Sequence, residues 1–228
     1  MSIDYKRMAE KAKKDYFEQI VLVQKLYGAE GLRNLAEFHS DCHRDSWAKR
    51  CVELAERFED VMRKIDSSKS NGDIDGLINM GEFYRYRGQD AYAHKCYEAA
   101  IELGSTEALS IYAHALELES NEAVRDGDPD MGIYYRKRAV NYYEKGTNLG
   151  DVNCISELAY AYYNGVEVCG TTILEQNRVV ALELFRKLAD MGYEHAEWMI
   201  NKIANAKVDN GTAYCKVIPA ISSHKEEA

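Results

Sequence analysis

His39, Cys42 and His43, with Cys51 close behind, are the densest group of soft metal-ligating side chains in this sequence. His39 and His43 are four residues apart and would share one face of a helix. A zinc site needs four ligands, or three and a water. The spacing here fits no zinc signature, and Asp41, Arg44 and Asp45 give the stretch the character of a solvated loop. A second candidate is the run Asp126-Gly127-Asp128-Pro129-Asp130. A calcium loop of the helix–loop–helix kind needs oxygen ligands at alternate positions, with glycine sixth and glutamate twelfth. Glycine comes second here and proline fourth, so the run reads as an acidic loop with Pro129 opening a helix in its first turn. There is no Gly-x-Ser-x-Gly elbow, no phosphate-binding loop and no cysteine-centred catalytic signature. The expectation is a chain with no catalytic residues, no metal and no cofactor.

Charge narrows the partner. Lysine and arginine number 29 and aspartate and glutamate 38, for a net charge of −9. Arg136-Lys137-Arg138 and the group Lys11, Lys13, Lys14 are basic, but both have acidic neighbours. A reader of the phosphate backbone normally carries a dominant basic surface, so no direct nucleic-acid binding is expected. A partner with a basic surface would be drawn in by electrostatic steering. No apolar run approaches the roughly 18 residues that a membrane helix needs, so no membrane is expected. The basic residues near Met1 are followed by no apolar stretch, and the six cysteines are scattered. Both points predict a cytoplasmic protein with free thiols.

The elements that must carry these residues are helices. The chain has only two prolines and 17 tyrosines, and proline is the residue that breaks helical hydrogen bonding. Three segments repeat: Tyr97 to Gly104, Tyr143 to Gly150 and Phe185 to Gly192. Aligned on the last glycine, each has an aromatic seven residues before it and an alanine eleven before it (Ala93, Ala139, Ala181). Leu103, Leu149 or Met191 immediately precedes the glycine, and a small residue follows four later (Ala108, Cys154, Ala196). The glycines stand 46 and 42 residues apart, a period that suits stacked helix pairs. Each unit reads as helix A, turn, helix B, glycine. The glycine ends helix B with φ > 0, and the alanine and aromatic pack one helix on the next.

Helix A has its own landmarks, namely a small residue, an apolar residue at +4, a small one at +5 and often an aromatic at +8. The copies are Gly76/Met80/Gly81/Tyr84, Ala108/Tyr112/Ala113/Leu116, Cys154/Leu158/Ala159/Tyr162 and Ala196/Ile200/Asn201/Ala204. With the alanine-bearing helix B and its terminal glycine, this pattern resembles the Sel1-like repeat, a relative of the tetratricopeptide repeat. Ala113, Ala159 and Asn201 replace the usual glycine, and Leu116 and Ala204 replace the aromatic. The resemblance covers about residues 74–206 and implies an all-α, right-handed α/α superhelical solenoid. It further implies a non-enzymatic protein–protein interaction module, acting as adaptor, scaffold or small inhibitor. A toxin-immunity or phage anti-defence protein that blocks a basic nucleic-acid enzyme is the narrower alternative. An enzyme or metal-binding protein is the alternative of another class.

The expected organisation is N-terminal helices over 1–73, forming a cap or a degenerate repeat, then repeats over 74–206, and a C-terminal cap and flexible tail over 207–228. An amphipathic pattern fills 4–27 and Gly28 stops it; helices follow over 30–40 and 46–65, then a polar linker over 66–73. Loops are expected within the second repeat, at 117–122 and 126–130, and within the third, at 165–177. Counting along helix A from the +5 landmark gives one outward stripe per repeat. The stripes are Asp75, Ile78, Glu82, Arg85; Glu107, Ser110, His114, Glu117; Asn153, Ser156, Tyr160, Tyr163; and His195, Trp198, Lys202, Asn205. The expected partner-binding residues are Glu82, Arg85, His114, Glu117, Tyr160, Tyr163, Trp198 and Lys202. Aromatic anchors supply affinity, and the charged members set selectivity.

Overall fold

Gly-Asp and Gly-Ser pairs punctuate the chain, and each one separates two helices. In a computed structural model, which describes residues 28–205, helix α1 covers 28–41 and is followed by α2 (Asp45–Ser70). Then come α3 (Ile74–Arg85), α4 (Asp90–Glu102), α5 (Thr106–Arg125), α6 (Pro129–Asn148) and α7 (Val152–Asn164). A short antiparallel hairpin, β1 (Val166–Val168) with β2 (Thr171–Leu174), precedes α8 (Arg178–Asp190) and α9 (Glu194–Asn205). Among the described residues the fold is all-α apart from that hairpin. The expected 4–27 helix and the 207–228 cap lie outside the described residues.

The repeating turn has one physical design. Gly104, Gly150 and Gly192 adopt φ of 91°, 84° and 89°, which an L side chain resists. The residue after each glycine donates its N–H to the carbonyl five residues earlier: Ser105 to Ala100, Asp151 to Gly146, Tyr193 to Leu188. The next helix is then capped at once. Ser105 Oγ accepts from Ala108 N at 3.1 Å and Asp151 Oδ1 from Cys154 N at 2.8 Å. Asp73 does the same for Gly76 of α3, so most helix A starts satisfy an orphan N–H with a side-chain oxygen, and Asp128 caps the B helix α6 likewise through Met131.

Contacts divide the chain into two compact units, with the division between Tyr112 and Ala113, inside α5. In the first unit α3 and α4 form an antiparallel pair that packs on α2. Tyr92, Ala93, Cys96 and Tyr97 of α4 are buried, as are Leu77 and Tyr84 of α3. Leu32, Ala36, Cys51 and Ala55 form a smaller core between α1 and α2. In the second unit α6, α7, α8 and α9 pack in succession. Ile155, Ala159, Ala181, Phe185, Leu188, Ala196, Met199 and Ile203 make its core. The −11 alanines and the −7 aromatics are all buried, as their spacing predicts. The residues before the glycines differ: Leu149 and Met191 are exposed.

Several expectations need correction. Residues 66–70 are not linker but the last turn of α2, and the break is confined to 71–73. Residues 117–122 are not a loop, because α5 runs on to Arg125. That insertion lengthens both helices of the pair, since the partner α6 has 20 residues as well. Only the acidic turn at 126–128 remains, and Pro129 does open α6. The 165–177 insertion is ordered as the β hairpin, with Val168 buried. His39 is not in a solvated loop but buried in α1.

Candidate functional site

The row of aromatic and basic side chains on α7 and α9 is the most developed surface of the second unit. Tyr160 lies three residues before Tyr163 on α7, and His195, Trp198 and Lys202 are spaced i, i+3, i+7 on α9. Helical periodicity puts each set on one face. The Tyr160 hydroxyl and His195 Nε2 share a hydrogen bond at 2.7 Å. The Tyr160 ring meets buried Phe185 edge-on at 5.2 Å, which ties the row to the core. His195 stacks on Trp198 with ring centroids 5.3 Å apart. Lys202 Nζ lies 4.9 Å from the Trp198 ring centroid and 5.5 Å from that of Tyr163, within cation–π range. Trp198 keeps 54% of its surface exposed despite these contacts. Such a ring, large and pre-oriented yet still wet, has the features of an interface anchor.

A second cluster sits around α5 of the same unit. Glu117 accepts from Arg136 Nη1 at 2.5 Å and from the Tyr143 hydroxyl at 3.1 Å. Arg136 Nη2 also donates to Asn121 Oδ1 at 2.8 Å. His114 Nδ1 is 3.9 Å from Glu117. Glu157 of α7 belongs to this neighbourhood: desolvation, then repulsion from Glu117, raise its carboxyl pKa, and His114 works in the opposite direction. Burial, then the Glu117 charge, likewise push the Tyr143 phenol upward, so it stays a donor.

The first unit repeats this arrangement. The buried Tyr97 hydroxyl donates to Glu82 Oε1 at 2.6 Å, and Arg85 Nη2 donates to Glu82 Oε2 at 2.7 Å. The hydrogen bond to Glu82 holds the Arg85 guanidinium firmly charged. Tyr97 and Tyr143 are both the aromatic seven before the terminal glycine. In two repeats, therefore, the packing aromatic also fixes a glutamate of the outward stripe. In the third that position is Phe185, which has no hydroxyl, and the stripe residue Tyr160 turns to His195 instead.

The structure thus sorts the expected site residues. Glu82, Arg85 and Glu117 are half-buried and committed to partners within their own unit. His114, Trp198 and Lys202 are exposed; Tyr160 and Tyr163 are half-buried and pack on the core of the second unit. Ile78 and Ser110, counted into the stripe, are buried and leave it. His195 was in the stripe but not among the chosen anchors, and it links Tyr160 to Trp198. Arg136 and Glu157 lie outside the expected groove set. Their signal was present, since each lies on the amphipathic pattern at a charged position facing a neighbouring helix. No group of three or more potential metal ligands occurs among the described residues. No helix among them is long and apolar enough to cross a membrane.

No family model matches this chain and no curated protein matches it. Among solved structures it is similar to a Sel1 repeat protein from Oxalobacter formigenes, with 20% identity and a TM-score of 0.43. That likeness covers 62% of this chain and 97% of the other.

Proposed function

We propose that this chain is a protein-interaction module of the Sel1-like repeat type, and that it holds a partner protein against the A helices of its repeats. The landmarks in register over 74–206 support the family, with 1–73 as a cap or a degenerate repeat. The observation that carries the reading is the row Tyr160–His195–Trp198–Lys202, braced from below yet open to solvent. A row built only for packing would bury Trp198. In this reading Tyr160, Tyr163 and Trp198 supply contact area, and Lys202 and His114 select among partners. Glu82, Arg85 and Glu117 shape the surface from within and contribute charge.

The net charge of −9 favours a partner with a basic surface. That would suit an adaptor or a small inhibitor in the cytoplasm, including one that covers a nucleic-acid enzyme. The test is affinity capture from cells that make the protein, comparing the wild type with Tyr160→Ala/Trp198→Ala. The proposal expects a specific protein that the double variant no longer retains, while helical circular dichroism stays unchanged. Equal retention by a folded double variant would remove the groove assignment.

A further inference from the structure

Helix α6 carries basic and aromatic residues on a face turned away from its buried one. Tyr134, Lys137, Arg138, Asn141, Tyr142 and Lys145 line a shallow groove of about 430 Å³. Their spacing follows the i, i+3, i+4 rule, so they form one stripe of the helix. The face that packs is another one, made of Gly132, Tyr135, Ala139, Val140, Tyr143 and Gly146, which are buried. Tyr134 is exposed by 48%. Arg138 lies 5.6 Å from the Tyr134 ring centroid and Lys145 Nζ 4.9 Å from that of Tyr142. Three cations and no carboxylate line the groove, in a chain whose overall charge is −9. The stripe spans twelve residues of helix, or about 17 Å at 1.5 Å per residue.

We infer that this α6 groove binds a short acidic segment of a partner protein, five or six residues long in extended form. The length follows from about 3.3 Å per extended residue over that span. Carboxylates would pair with the exposed Lys137 and Lys145, and the two tyrosine rings would take an apolar or aromatic side chain between them. A nucleic acid fits less well, because it would extend past the patch into the acidic remainder of the surface. The inference is independent of the A-helix row: the groove is on a B helix and shares no residue with it.

The test uses the full chain and fluorescent octapeptides. One alternates glutamate with tyrosine, and its control replaces every glutamate by glutamine. The acidic peptide should bind and the glutamine peptide should not. Binding should weaken as salt rises from about 50 to 500 mM, since exposed pairs are screened. Lys137→Glu/Lys145→Glu should lower the affinity about tenfold or more, and Tyr134→Ala/Tyr142→Ala should also lower it. Lys202→Glu, on the other surface, should leave it unchanged. Lys137→Gln/Lys145→Gln guards against misfolding of the reversed variant and should give a smaller loss in the same direction. Equal binding of both peptides, or insensitivity to the α6 variants, would overturn the inference. Tighter binding of an eight-nucleotide single strand through the same lysines, or of phosphatidylserine vesicles, would overturn it as well.

Discussion

Replacing Glu117 by alanine should separate its structural role from any part in binding. Glu117 accepts two hydrogen bonds, from Arg136 at 2.5 Å and from Tyr143 at 3.1 Å. The pair is well shielded, with side-chain exposures of 16% for Arg136 and 25% for Glu117. Removal leaves the guanidinium with Asn121 as its remaining acceptor among the described residues, and it strands the Tyr143 hydroxyl. Breaking a fully buried pair by removing one partner costs about 3–5 kcal/mol. Partial solvent access lowers this, and the conserved share is about 2–3 kcal/mol. For a chain of this size each kcal/mol moves the melting temperature by about 2–4 °C, so the expected fall is about 4–12 °C. Tyr143→Phe removes only a neutral donor to a charged acceptor and should cost about 1–2 kcal/mol. In a double-mutant cycle the two losses should be clearly non-additive. The control is Glu122→Ala. Its partner Arg125 is 73% exposed in the side chain, and such pairs contribute about 0–1 kcal/mol. Urea denaturation followed by circular dichroism reads the four variants against the wild type. A loss below about 0.5 kcal/mol for Glu117→Ala would refute the claim that this stripe residue is an internal anchor.

Other consequences are equally specific. A Cβ added to Gly81 would stand 2.5 Å from Cε1 of Tyr97, so Gly81→Ala should destabilise by about 1–3 kcal/mol despite its better helix propensity; denaturant midpoints would show it, and an unchanged midpoint would contradict the close approach. The raised carboxyl pKa of Glu157 means that its folded form prefers the proton. Its contribution to stability is present below the unfolded pKa and is lost as pH rises through the folded value. Glu157→Gln should therefore raise the melting temperature at neutral pH and have little effect near pH 4, and the reverse order would contradict the cause assigned. Burial pushes the Cys96 thiol up to about 12 and the Cys154 thiol upward as well. Iodoacetamide at pH 7.5 should label exposed Cys42 and Cys169 and spare buried Cys51, Cys96 and Cys154, as read by peptide mass spectrometry.

Much of the helix framework was legible because its signals are local. The terminal glycines and the −11 alanines each do one job at one position, the −7 aromatics fill the core, and all fall where the spacing puts them. What the sequence hid depends on neighbours distant in the chain. Residues 117–122 look like loop because they are polar, yet a partner helix of matching length keeps them helical. Asp73, Ser105, Asp128 and Asp151 were readable as caps, since each directly follows a glycine, and they would have fixed the helix starts to the residue. The stripe was harder to read. Its periodicity located Tyr160, Trp198 and Lys202 on accessible faces, but no pattern along one helix reveals that Tyr97 and Tyr143 reach across to Glu82 and Glu117. Burial of Ile78 and Ser110 came from a neighbouring helix in the same way.

The most direct measurement of the central claim is the affinity of a captured partner for single variants of the A-helix row, by titration calorimetry. Trp198→Ala and Tyr160→Ala should each weaken binding by tenfold or more, about 1.4 kcal/mol. Phe38→Ala, which removes a ring that is 57% exposed on α1, outside the repeats, should leave the affinity within twofold, about 0.4 kcal/mol. Loss at Phe38 with retention at Trp198 and Tyr160 would place the partner elsewhere and contradict the account.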